Sequence, residues 1–202
     1  MELMASMVKN DKSLIDAHLK GDTTAFGELV HRYGDGLLGY LTRMTGSIEQ
    51  AEDLFQETFK RVHEKADTFR GSRIKSWLFA IATNVAIDGF RRGKRLQVTS
   101  LNQKLDCADD EGQELSAVAV ADNSYEPSQK AIMTERKEQV RQALELLPAK
   151  QRATLVLAYY QQLSYPEVAQ VLGCSVGTVK TQMYRALKTL AHRLPDISGV
   201  AK

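Results

Sequence analysis

From Leu96 to Pro127 the helical spacing of apolar residues that marks the rest of the chain fades, and acidic, Ser, Asn and Gly residues take over. Connections longer than about 12–15 residues are uncommon inside a compact domain, so this run reads as a flexible linker between two units. On either side of it no segment alternates as a strand would, whereas apolar residues recur three and four positions apart. The expected fold is therefore all-α, with two small helical domains over 1–95 and 128–202 joined by a flexible acidic linker over 96–127. A length of 202 residues suits that division, because compact domains most often run to roughly 100–150 residues.

Charge follows the same three parts. Lys60 to Arg95 holds ten basic and three acidic residues, a balance of +7, and Lys130 to Lys202 holds eleven and five, a balance of +6. Between them, Leu105 to Gln129 carries seven acids and no Lys or Arg. The net charge of +2 is thus the remainder of two basic blocks set against an acidic stretch, and it conceals surfaces suited to a polyanion. With 43% hydrophobic and 26% charged residues, the chain has enough apolar material for a core and is not disordered as a whole.

Two cysteines, Cys107 and Cys174, form neither a disulfide framework nor a pair with metal-ligand spacing. The first eleven residues contain no apolar signal core, and Met1, Met4 and Met7 are all candidate initiators. No apolar run approaches the roughly 18–20 residues that a bilayer-spanning helix needs, so no membrane insertion is expected and a reducing cytoplasm is the expected address. Paired carboxylates, a nucleophile with its base, a metal cluster and a phosphate loop are all missing, so the sequence reads as non-catalytic, with no cofactor and no metal.

In the first half, Asp11 and Asp22 are expected N-caps, and the second opens a helix through Phe26, Leu29, Val30, Tyr33 and on to Leu41 that Gly46 ends. Ser47 caps the next helix, which carries Ala51, Leu54, Phe55, Thr58 and Val62 on one side. After a loop around Thr68 to Ser72, a third helix turns Ile74, Trp77, Leu78, Ile81 and Val85 inward and is expected to end in the basic run Arg91, Arg92, Gly93, Lys94, Arg95.

Leu163 to Leu194 is the most informative stretch. Ser164-Tyr165-Pro166-Glu167 has the form of a capping box, and Pro166 is tolerated because first-turn N–H groups lack intrahelical partners. The short helix it opens ends at Leu172. Gly173-Cys174-Ser175 supplies a turn, with Gly173 free to take positive φ and Ser175 placed to cap a second helix. Short helix, tight turn and longer helix make a helix-turn-helix. On the second helix Val179, Met183, Ala186, Leu187, Leu190 and Leu194 form an apolar stripe, while Thr178, Lys180, Thr181, Tyr184, Arg185 and Lys188 lie off it, and no acid interrupts Ser175 to Leu194. Arg and Lys on such a face can meet guanine edges or phosphates, and Thr can touch a thymine methyl. The plain alternative is a solvated amphipathic helix; cap, turn and acid-free face together favour DNA.

These residues match a known pattern. The stretches Leu144 to Pro148, Leu163 to Ala169, Val176 to Lys180 and Tyr184-Arg185-Ala186 resemble region 4 of the extracytoplasmic-function (ECF, or group 4) sigma factors of bacterial RNA polymerase, in the sigma-70 family. Ala51 to Phe59 and Ser76 to Asn84 resemble their region 2. The two motif sets stand in the family's order and cover nearly everything but the linker. The resemblance implies a dissociable, non-catalytic polymerase subunit for promoter-specific transcription initiation. It implies that Asp53, Gln56, Glu57 and Arg61 dock on the largest-subunit coiled coil of core RNA polymerase, with region 4 at the flap. Phe69, Arg70, Gly71 and Ser72 would form the loop that captures an unstacked base of the promoter −10 element, with Asn84 at a base edge and Arg91, Arg92, Lys94 and Arg95 at phosphates. Extruding a base costs a few kcal/mol, which stacking and edge hydrogen bonds can recover. Ser175, Thr178, Lys180, Thr181, Tyr184, Arg185 and Lys188 would serve the −35 element. The resemblance further implies an anti-sigma factor that clamps both domains, and a linker that either threads the polymerase cleft or is a solvated tether.

Two other readings compete. A free-standing helix-turn-helix repressor would have no use for the Asp53, Gln56, Glu57 set or the Phe69 loop, and an enzyme with a DNA-binding tail lacks catalytic groups. Gly34-Asp35-Gly36-Leu37-Leu38-Gly39 spells a dinucleotide fingerprint, but no strand precedes it and no βαβ unit surrounds it. Each glycine costs roughly 1 kcal/mol inside a helix, so a kink or close helix packing is expected there. His63-Glu64 lacks the second His of a zinc-protease motif, and His18, His31 and His192 form no evident constellation.

Overall fold

The computed structural model describes residues 10–71, 73–101, 136 and 138–193, of which 93–101 by backbone. The linker beyond Leu101, Cys107, the three candidate initiators, Ser72 and Leu194 lie outside the described residues. All regular elements among those described are helical: α1 (Asp11–Leu19), α2 (Thr23–Thr45), α3 (Ile48–Glu64), a 3-10 turn (Ala66–Thr68), α4 (Ile74–Leu101), α5 (138–145), α6 (Ala149–Tyr159), α7 (Tyr165–Leu172) and α8 (Val176–Arg193).

The caps explain most boundaries. Asp22 accepts from Thr24 N at 3.0 Å and Ala25 N at 3.3 Å, and Ser47 accepts from Gln50 N at 3.3 Å. Gly46 closes α2 at φ +77, a left-handed conformation that a side chain would resist. At α1 the cap falls one residue earlier than expected. Asn10 accepts from Lys12 N, which leaves the Asp11 carboxylate free to hold α2 through Arg32 Nη1 at 2.7 Å and the Tyr33 hydroxyl at 2.7 Å. α4 also departs from expectation: it passes through the Arg91–Arg95 run and ends at Leu101. Arg, Lys, Leu and Gln are good helix formers, and Gly93 alone costs too little to stop the helix.

The first four helices bury Leu29, Leu37, Tyr40, Leu41 and Met44 of α2 against Ala51, Phe59 and Val62 of α3 and Leu78, Phe79, Ala82 and Val85 of α4. Each large side chain buried this fully contributes about 1.5–3 kcal/mol. The Tyr40 hydroxyl, fully buried, meets Thr83 Oγ1 at 2.7 Å, and burial pushes its ionisation upward. α2 is continuous through its glycines rather than broken; a Cβ at Gly34 would make ordinary contact with the Phe55 ring at 3.5 Å, and the tighter approach is at Gly39, where a Cβ would lie 3.1 Å from Arg43 Nη1.

In the second half Leu144, Leu147, Val156, Leu157, Val168, Val171, Val179, Met183 and Ala186 are buried. Leu187, expected on the buried stripe, is 53% exposed. The two halves are not held apart: α7 packs along α4, α6 packs on α2, and their apolar residues form one buried cluster.

Candidate nucleic-acid interface

The helix-turn-helix is built from α7, the Gly173 turn and α8. Glu167 reaches back to the backbone N of Ser164 at 2.9 Å and accepts from its hydroxyl at 2.6 Å. Gly173 takes φ +60, and Ser175 Oγ accepts from Thr178 N at 3.1 Å. The Ser164 hydroxyl and then its backbone N–H hold the Glu167 carboxyl below the usual carboxylate range. The contribution of this cap is therefore present above the unfolded-state pKa of Glu167 and lost as pH falls through the depressed folded value. Glu167→Ala should lower thermal stability near pH 7 by under about 1 kcal/mol, since the group is solvent-accessible. The difference from the native chain should close as pH falls through the carboxylate range in paired thermal melts.

Beyond this cap, Ser175, Thr178, Lys180, Thr181, Tyr184, Arg185 and Lys188 are all exposed on one side of α8, away from buried Val179, Met183 and Ala186. Tyr184 is 67% exposed. Thr181 Oγ1 is turned onto Gly177 O at 3.0 Å, which leaves its methyl outward.

A second concave site lies at the start of α4. A cavity of about 560 Å³ is lined by Phe69, Arg70, Gly71, Arg73, Ser76, Trp77, Ala80 and Gln170. The Phe69 and Trp77 rings pack at 5.3 Å and 53°, so Trp77, expected in the core, backs onto it while facing the cavity. Arg70 is tied back to Asp67 O, which fixes the loop. Ser76 Oγ is buried and has no partner among the described residues. Asn84 is exposed two turns along α4 from Trp77, and Ala80 lies on the same face between them. Arg91 and Arg92 continue outward, both exposed; Arg91 Nη1 lies 3.9 Å from Asp88. Cavity aromatics, flanking arginines and a free carboxamide suit a stacked, edge-bonded base. Sequence reading passed over Arg73, Ser76 and Gln170. The first two sit in the motif-bearing stretch beside Phe69, but Gln170 reaches the cavity only through tertiary packing.

On α3, Asp53 and Gln56 are exposed and Glu57 is half-buried, in an ion pair with Arg61 Nε at 2.8 Å. Arg61 Nη1 also lies 3.9 Å from Asp88 on α4. The four expected docking residues therefore share one polar face.

A histidine pair that sequence spacing does not announce joins α1 to α3. His18 Nε2 lies 3.0 Å from His63 Nδ1 across the α1–α3 contact, with Phe26 against both rings. Burial and then the neighbouring imidazole push His18 below its ordinary value. Fold contact rather than sequence spacing makes the pair, and no cluster of three metal-ligating residues occurs among the described residues. Nor, among them, is any helix long and apolar enough to cross a membrane.

Comparison with known proteins identifies the family and the fold. The chain matches the family model for sigma-70 region 2 over residues 29–96 and that for sigma-70 region 4 over 137–190. It is 34% identical over 179 residues to the ECF RNA polymerase sigma factor SigW of Bacillus subtilis, covering 88% of this chain and 93% of that one. It is 33% identical over 189 residues to the ECF RNA polymerase sigma factor SigM of Mycobacterium tuberculosis, covering 92% and 85%. Among solved structures it resembles the sigma factor RpoE of Bartonella quintana in its complex with the anti-sigma factor NepR. The TM-score is 0.62 at 27% identity, over 83% of this chain and 94% of that one. CnrH, solved with the cytosolic domain of CnrY, shares the fold at TM-score 0.62 and 23% identity, over 91% and 96%.

Proposed function

We propose, because this chain belongs to the extracytoplasmic-function group of the sigma-70 family, that it binds core RNA polymerase and brings it to promoters carrying both a −35 and a −10 element. In this reading 1–95 is the polymerase-binding and −10 domain, 96–127 the linker and 128–202 the −35 domain. Asp53, Gln56, Glu57 and Arg61 dock on the largest-subunit coiled coil, and the second domain lies at the flap. Phe69, Arg70, Gly71 and Ser72 stack and enclose an extruded base, Asn84 bonds its edge, and Arg91 and Arg92 hold phosphate. Ser175, Thr178, Lys180, Thr181, Tyr184, Arg185 and Lys188 face the −35 major groove.

The observation that supports the proposal is that one chain carries two separate surfaces whose chemistry suits DNA. These are an exposed, acid-free recognition helix and an aromatic cavity flanked by arginines. A repressor that reads duplex DNA needs only the first. No fuel is required, since stacking and base-edge bonds can offset the few kcal/mol of unpairing. The likeness to a sigma factor solved with its anti-sigma factor supports regulation of this chain by a partner of the same kind.

The test is reconstitution. Purified chain added to core polymerase should start transcription from a double −35/−10 promoter and do little alone. Tight operator binding by the free chain, with no gain from core enzyme, would sink the proposal.

A further inference from the structure

Stacking of a promoter base accounts for the aromatic wall of the cavity but not for the start of α4. Ser76, at the third position of that helix, lines the cavity and is 7% exposed, and its hydroxyl has no partner among the described residues. Helical hydroxyls elsewhere in the chain are satisfied within their own helix: Thr42, Thr58, Thr83 and Thr154 each donate to the carbonyl four residues back. For Ser76 the residue four back precedes the helix, and no such bond forms. A buried hydroxyl with neither donor nor acceptor is costly to keep, and each one in a folded protein calls for a reason.

The surroundings of that hydroxyl are those of an anion site. The backbone bond from Trp77 N to Arg73 O, 3.3 Å, opens the ladder of α4, so the N–H groups of Ile74, Lys75 and Ser76 have no intrahelical acceptor and the helix dipole is positive there. Arg70 and Arg73 line the same cavity, and both are exposed. Arg70 is held by Asp67 O and Lys75 Nζ by Gln161 O at 2.7 Å, which leaves Arg73 as the cavity-lining cation not engaged by a backbone carbonyl among the described residues. One acid faces these cations. It is Glu167 of α7, which Arg73 and Lys75 help to hold ionised and whose Oε2 already accepts from the Ser164 N–H and hydroxyl.

We propose that in the chain free of polymerase this cavity binds a soluble nucleoside phosphate: the base lies against the Phe69 and Trp77 rings, and the phosphate is held by the Ser76 hydroxyl, the first-turn N–H groups of α4 and Arg73. The stacking half rests on the cavity role proposed above; the phosphate half rests on Ser76 and the helix start alone. A volume of about 560 Å³ falls within the ~300–1,000 Å³ of small-ligand sites. The Gln170 carboxamide, also in the wall, offers a donor and an acceptor to a base edge, and a guanidinium suits phosphate oxygens. Gln170 belongs to α7, which packs along α4, so the ligand favours that arrangement by mass action. A nucleotide in the cavity also stands where a promoter base would enter, and its concentration then opposes promoter opening.

The chain has a single tryptophan, and Trp77 lines the cavity, so its fluorescence reports a stacked base directly. AMP, GMP, CMP and UMP are titrated separately into the purified full-length chain without polymerase or DNA, beside the matching nucleosides, inorganic phosphate and a single-stranded DNA oligonucleotide. At least one nucleotide should quench Trp77 saturably, and its nucleoside should bind about tenfold more weakly or worse. Ser76→Ala should weaken that nucleotide by about tenfold or more, the loss of a hydrogen bond to a charged group. The same variant should leave the thermal midpoint of the ligand-free chain unchanged or higher, because it removes a buried group that has no partner; a structural role for the hydroxyl would lower it. Arg73→Ala should weaken the nucleotide and flatten its salt dependence, with Arg73→Lys retaining most of both. No saturable quenching by any of the four nucleotides overturns the proposal, as does unchanged binding in Ser76→Ala. Inorganic phosphate binding as tightly as the nucleotides overturns it in favour of an ion site, and binding of the oligonucleotide alone assigns the cavity to the promoter strand only. Reconstituted transcription is read separately: nucleotide binding without promoter-dependent initiation keeps this site and removes the proposed function, and initiation without nucleotide binding does the reverse.

Discussion

Asn84→Ala, assembled with core polymerase, is expected to bind a promoter at its −35 element and fail to open it. Asn84 is exposed on α4, on the same face as Trp77 and Ala80 of the cavity lining. Its carboxamide offers a donor and an acceptor together, the pairing needed at a base edge. Opening is a near balance between the few kcal/mol required to unstack and unpair and what the protein returns. A lost edge contact of ~1–3 kcal/mol should therefore reduce open complex by about fivefold to just over a hundredfold. An exposed substitution of this kind changes stability by only about 0.5 kcal/mol, so unfolding cannot produce the same result. Permanganate reactivity of promoter thymines would report opening, with footprinting over the −35 element as the internal control. Full opening by Asn84→Ala would remove this residue from the site.

That prediction draws on features of unequal visibility in the sequence. The helix-turn-helix was legible because each part has its own local chemistry: the Ser164–Glu167 pairing, the Gly173 turn and the Ser175 cap all act within four residues. The apolar periods of α2, α3 and α4 were legible for the same reason. What escaped depends on contacts across the fold. Asn10 and Asp11 are equally good caps by residue type, and only the pull of Arg32 and Tyr33 from α2 decides that Asp11 leaves the cap. His18 and His63 stand 45 residues apart and meet because α1 packs on α2 and against the 3-10 turn that follows α3. Leu187 satisfies the helical period, yet it is left 53% exposed. Gly34, Gly36 and Gly39 were visible as an anomaly, but their reasons differ: one lies under Phe55, the next under Gln161 of the other domain and the last beside Arg43.

The Gln161 and Arg152 contacts between the two halves also revise what the charge pattern means. Two basic blocks read from sequence as two DNA-facing surfaces. Part of that charge is instead directed inward: Lys75 from the first block, and Arg141 and Arg152 from the second, are bound to backbone carbonyls of the other half. Among the described side chains of α8, Lys180, Arg185 and Lys188 are exposed cations. In the proposed function promoter reading by the second domain would rest on few side chains, which makes single substitutions informative.

Arg185→Ala is the sharpest of these. Arg185 lies one residue from Tyr184 on the exposed face of α8, one turn beyond Thr181, with Ala186 beneath it in the core. A rigid helix face positions a guanidinium well for the paired O6 and N7 acceptors of guanine, and such a bidentate contact discriminates by ~1–3 kcal/mol. Holoenzyme carrying Arg185→Ala should lose roughly tenfold or more in preference at one −35 base pair and keep its preferences elsewhere. Lys188→Ala, one turn later, should instead weaken all −35 sequences alike and reduce the salt dependence of binding by about one counterion. Competition binding over a single-base-substituted −35 series, at two salt concentrations, separates the two. Uniform weakening by Arg185→Ala would assign that side chain to phosphate and move base reading toward the first turn, to Thr178, Lys180 and Thr181, where Ser175 Oγ fixes the backbone.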